Sequence, residues 1–84
     1  MSRLLESFVA KILIMDYMGI FSDRLKELRI EKGLSQHQLA KQVGLTHTAI
    51  GLWERKQRIP NADAIVSLAL FFNVTTDYLL GLEN

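Results

Sequence analysis

The chain contains no cysteine in its 84 residues. That excludes disulfides and thiolate metal sites, and it suits a reducing cytosol. A single proline, Pro60, leaves almost the whole chain free to be helical. The two histidines, His37 and His47, lack a third ligand at a metal-binding spacing, so no metal is expected. There is no nucleophile–base–orienter set, no carboxylate pair placed for acid–base work and no phosphate loop. Nothing in the residues therefore points to an enzyme, a cofactor or a small-molecule substrate. Internal repeats, low-complexity tracts and long linkers are also missing. The length fits one domain with a small core, without room for a separate ligand-sensing or catalytic domain. Hydrophobic residues make up 49% of the chain, too many for a disordered segment.

What is present is helical spacing, and an all-α fold is expected. Residues 2–17 read as an amphipathic helix, with Leu5, Phe8, Ile12 and Met15 spaced 3, 4, 3 along a seam. Gly19 is expected to break it. Ser22 can cap a next helix over roughly 23–32, with Leu25 and Leu28 inward and Gly33 as the stop. A helix over 35–43 would bury Leu39, Ala40 and Val43, and one over 46–54 would bury Ile50 and Trp53. Asn61 can cap a helix reaching Phe72, with Ile65, Leu68, Ala69 and Phe72 on one face. Asn73 fits a left-handed stop. Thr75 or Thr76 can cap a last short helix that ends at Gly81.

The stretch 35–60, SQHQLAKQVGLTHTAIGLWERKQRIP, carries the most information. Ser35 caps one short helix, Gly44 ends it, and Thr46 caps a second at once. Two short helices around a glycine turn describe a helix-turn-helix, whose second helix is shaped for a DNA major groove. Charge supports this. The net charge is only +1, but residues 20–59 hold eight Lys/Arg against four Asp/Glu, whereas residues 60–84 hold three acids and no base. The basic excess lies on and around the two helices, as a phosphate-facing surface requires. An ordinary solvated face would give the same count.

Four segments in order, RLKELRIEKGLSQ, LAKQVGL, WERKQRIP and NVTTDYLLG, resemble the Cro/C1-type helix-turn-helix family of phage-repressor and XRE-like regulators, over about residues 21–82. The resemblance implies a five-helix, lambda-repressor-like DNA-binding domain, here with an additional N-terminal amphipathic helix. It implies a phosphate contact and a bracing role for Gln36, at a helix N-terminus. It places base-edge contacts at Thr46, His47, Thr48, Gly51 and Leu52, on the solvent side of the second helix and opposite Ile50 and Trp53. It assigns Arg55, Lys56 and Arg58 to the sugar-phosphate backbone. It also pairs Arg29 with Glu54 in a partly buried salt bridge. Gly51 departs from an easily read pattern, because it has no side chain for a base and weakens a helix. Trp53 is expected in the core; a stacking role on single strands would need further aromatics nearby.

Residues 1–17 stand outside the resemblance, and several readings compete. The seam Leu5, Phe8, Ile12 and Met15 could form a homodimer or pack on its own domain. A membrane span is disfavoured by Arg3, Glu6, Lys11 and Asp16, which interrupt the apolar run. No small-residue cleavage site marks a signal peptide. Translation could also start at Met15 or Met18. The division expected is 1–19 as the N-terminal helix, for dimerisation or packing, and 20–84 as the helix-turn-helix domain. The expected function is a cytoplasmic, sequence-specific regulator that binds double-stranded DNA, a repressor acting as a homodimer on a two-fold operator. The alternative is an antitoxin or partner-binding module, in which a protein partner is primary and DNA binding is autoregulatory.

Overall fold

The computed structural model describes residues 18–83. Among these, five helices and no strand are found. They are α1 over 18–31, α2 Gln36–Val43, α3 His47–Glu54, α4 Ala62–Phe72 and α5 Thr76–Leu79. The expected seam of Leu5, Phe8, Ile12 and Met15 lies outside the described residues.

Local chemistry explains the boundaries. Ser35, Thr46, Asn61 and Thr75 stand at the N-caps of α2 to α5 in extended backbone, and each side chain accepts the third amide of its helix. At α2 the arrangement is a reciprocal capping box, with the Gln38 side chain accepting from the Ser35 amide at 2.8 Å. The helices end on left-handed residues whose amides fold back onto the last turn. After α1, Gly33 N–H donates to Ile30 at 2.9 Å and Leu34 N–H to Arg29 at 3.1 Å. Asn73 closes α4 in the same way, at φ 55°. After α3 the left-handed position holds Lys56, at φ 61°, a conformation that costs a side-chain-bearing residue about 1–2 kcal/mol.

Two expectations are corrected at α1. Gly19 does not break the helix, which runs unbroken from 18 to 31. Ser22 is not a cap but a buried residue inside the helix, and its hydroxyl lies 2.9 Å from the Met18 carbonyl and 2.5 Å from the Trp53 carbonyl. The physical reason is tertiary. Phe21 and Leu25, both fully buried, need a continuous helix to reach the core together, and their burial outweighs the roughly 1 kcal/mol propensity cost of one glycine.

The core joins all five helices: Phe21 and Leu25 of α1, Leu39 and Ala40 of α2, Ile50 and Trp53 of α3, Leu68, Ala69 and Phe72 of α4, and Leu79 of α5. Phe21 meets Trp53 edge-on, with ring centroids 6.4 Å apart. Val43 and Ile65 are half-buried and pack at its margin. Arg24 closes the far end of the chain. Its Nη1 donates to the Tyr78 carbonyl and, at 2.8 Å, to the Glu83 carbonyl, while the guanidinium lies 4.2 Å from the centroid of the Tyr78 ring. Among the described residues, no helix is long and apolar enough to cross a membrane.

Candidate nucleic-acid interface

The α2–α3 pair is fixed from below by the core and from the side by ion pairing. Leu39, Ala40, Ile50 and Trp53 are buried, which turns the opposite side of α3 outward. Arg29 supplies the lateral brace. Its Nε and Nη2 donate to the two Glu54 oxygens at 2.7 and 2.9 Å, and its Nη1 donates to the Leu34 carbonyl at 2.7 Å. Only 12% of the Arg29 side chain and 4% of the Glu54 side chain are exposed. The hydrogen bonding to the Glu54 carboxylate holds the guanidinium above its ordinary range, against the opposing effect of burial. Gln36 joins from the start of α2, its Nε2 donating to Glu54 Oε1 at 3.2 Å. One carboxylate thus ties α1, α2 and the last turn of α3.

On the outward side, Thr46, His47 and Thr48 are exposed and Leu52 is half-buried. Thr46 spends its side-chain oxygen on the Ala49 amide at 3.1 Å. His47 stacks on His37 of α2, with centroids 3.7 Å apart and planes 20° from parallel. This is a packing contact between the starts of the two helices. No group of three or more His, Cys, Asp or Glu side chains suited to a metal occurs among the described residues.

Gly51 is corrected. It is not on an open solvent face but is covered. A Cβ built on it would lie 3.0 Å from Arg55 Nη1 and 3.2 Å from Gln36 Oε1. Two side chains from flanking positions therefore fill the space a residue at 51 would claim. Arg55, Lys56 and Arg58 are all exposed just beyond α3. Arg55 Nε donates to Gln57 Oε1 at 3.3 Å, and Lys56 Nζ reaches Asp23 Oδ1 at 3.4 Å in an exposed pair.

The helix ends add to the electrostatics. Neither α2 nor α3 has an acidic residue in its first turn, whereas α4 has Asp63 and α5 has Asp77. The positive dipole ends of α2 and α3 are thus left without a side-chain anion, and those of α4 and α5 are offset. Sequence reasoning missed Gln57 and His37 as parts of this surface. Both are common exposed polar residues, and only the folded arrangement brings them to Arg55 and His47.

The chain has relatives among known helix-turn-helix proteins. A family profile described as "Helix-turn-helix" matches residues 25–79. The chain is 41% identical over 63 residues to the HTH-type transcriptional activator BcrR of Enterococcus faecalis, covering 75% of this chain and 31% of that protein. It is 37% identical over 78 residues to the control protein C.SmaI of Serratia marcescens, covering 89% and 93% respectively. Among solved structures, the restriction-modification controller protein C.AhdI of Aeromonas hydrophila superposes with a TM-score of 0.68 at 39% identity, over 74% of this chain and 94% of that one. The chain spans 31%, 58% and 46% of the length of the first three curated relatives it matches.

Proposed function

We propose, from the fact that this chain belongs to the Cro/C1-type helix-turn-helix family of DNA-binding transcriptional regulators rather than enzymes, that it represses transcription by binding an operator through α3. The observation that carries the reading is the outward edge of α3, Thr46, His47, Thr48 and Leu52, flanked by acid-free helix starts on one side and by Arg55, Lys56 and Arg58 on the other. In this reading α3 lies in the major groove. Thr48 offers a hydroxyl and a methyl to base edges, His47 a ring nitrogen and Leu52 an apolar contact for thymine. Gln36, held at the start of α2, and the cations Arg55, Lys56 and Arg58 hold phosphates on either side. Repression follows when the occupied operator overlaps a promoter.

The protein acts as a homodimer on a two-fold site, and the seam Leu5, Phe8, Ile12 and Met15 joins the copies. The support is the 3, 4, 3 apolar spacing of these residues in the sequence. The absence of cysteine suits a cytoplasmic setting. Footprinting on the DNA upstream of its own gene tests the whole reading. Two protected half-sites about 10 bp apart, with affinity falling steeply in salt, are expected. Weak, uniform binding without protection would transfer the main role to a protein partner.

A further inference from the structure

Gly51 is the odd residue of α3: it weakens the helix and offers no side chain. The structure assigns it a purpose. We propose that Gly51 is a vacated position through which Arg55 reads a guanine, so that base specificity at this point comes from a residue one turn away. The inference rests on the reading that α3 enters the major groove, and it moves Arg55 from backbone contact to base-edge contact.

Three observations carry it. Thr48, Gly51 and Arg55 are spaced 3 and 4, which puts them on one stripe of the helix surface. The Arg55 guanidinium folds back along that stripe, with Nη1 3.0 Å and Nη2 3.6 Å from where a Cβ on Gly51 would stand. It therefore lies over Gly51 rather than pointing away along the loop. Finally, the two outer nitrogens make no hydrogen bond among the described residues. Arg55 Nε is occupied by Gln57, and the neighbouring Glu54 is taken by Arg29 and Gln36. Among the described residues, no carboxylate pairs with Arg55. A planar pair of N–H donors, steadied at Nε and free at its outer edge, matches the O6 and N7 acceptors of guanine in the major groove. A side chain at 51 would crowd it.

The test selects duplexes from a randomised DNA pool with the full chain, then measures affinity for the selected duplex and for versions with each G·C pair replaced in turn. Wild type, Arg55→Ala and Gly51→Ala are compared. In wild type, one G·C replacement per half-site should weaken binding roughly ten- to a hundredfold. That preference should disappear in Arg55→Ala. It should also weaken in Gly51→Ala, where the new methyl, 3.0 Å from Nη1, forces the guanidinium aside by a few tenths of an ångström but alanine favours the helix. An unchanged melting temperature in Gly51→Ala would show that the weakened preference is not misfolding. If Arg55→Ala weakens binding to every duplex in parallel and leaves the selected motif intact, Arg55 is a phosphate contact and the proposal fails. If Gly51→Ala keeps the preference, the vacated position is irrelevant and the proposal fails as well. Wild type selecting no motif at all would instead overturn the DNA-reading role of α3, and the inference with it.

Discussion

The Glu54 carboxylate takes the Nε–Nη2 edge of the Arg29 guanidinium with both oxygens, at 2.7 and 2.9 Å, across 25 positions of sequence. Because both side chains are largely buried, neither can lose its partner cheaply. Glu54→Ala leaves a guanidinium facing the protein interior and should destabilise the fold by about 3–5 kcal/mol. Urea denaturation followed by Trp53 fluorescence measures it. Replacing Arg29 by Met and Glu54 by Leu together should cost less than Glu54→Ala alone, since no charge is then stranded. A wild-type midpoint in Glu54→Ala would refute the brace. The pH dependence has a definite sign. Arg29 titrates higher in the folded chain, so its stabilising contribution is complete at neutral pH. It is lost only when strong alkali strips the guanidinium, as pH rises through the folded value.

Lys56 sits where a left-handed backbone is required, at φ 61°. Lys56→Gly should stabilise the domain by about 0.5–1 kcal/mol, because the strain relieved exceeds both the extra chain entropy and an exposed pair with Asp23. The same variant should bind DNA more weakly. A melting curve and a titration with duplex DNA would separate the two effects. A fall in both stability and affinity would contradict the strain argument.

The double variant Lys56→Ala with Arg58→Ala should weaken binding to all duplexes in parallel. It should also lower the slope of log affinity against log salt by about two, as each phosphate contact releases close to one counterion. Retention of the full slope would place these cations away from the DNA backbone.

Ser22→Ala should destabilise by about 1 kcal/mol, by taking a donor from the Trp53 carbonyl in a buried setting. The variant also replaces a poor helix former with a good one, so a stabilised protein would mean that this contact contributes little.

The helix starts were legible because Ser35, Thr46, Asn61 and Thr75 announce themselves: each is a short acceptor just before an apolar repeat. The stops at Gly33, Gly44, Asn73 and Gly81 were legible for the same kind of reason, being residue types that tolerate a left-handed backbone. Lys56 was not, since lysine carries no such signal and the loop geometry that follows α3 imposes the conformation. Ser22 misled because a serine followed by Asp23 has the same local chemistry as a cap. What decides its role is Phe21, Leu25 and the Trp53 carbonyl 31 residues away, a relationship that local chemistry does not contain. The cationic stretch 55–58 could be read as a surface, but the return of Arg55 over Gly51 needed coordinates. Spacing shows that the two residues share a stripe, and it does not show which way a flexible side chain turns.

The Arg24 contacts bear on how the chain comes off the ribosome. The carbonyls that Arg24 binds, on Tyr78 and Glu83, lie 54 and 59 positions downstream, and the core packs Leu79 with Phe21 and Leu25. Synthesis therefore delivers α1 well before the last partners of its inner face exist. During that interval α1 is an amphipathic segment with its apolar side open, and a holdase or a neighbouring nascent copy could occupy it. Native order at α1 has to wait for the last segment to emerge. A stalled ribosome carrying the chain only as far as α3 should present α1 in a protease-sensitive state.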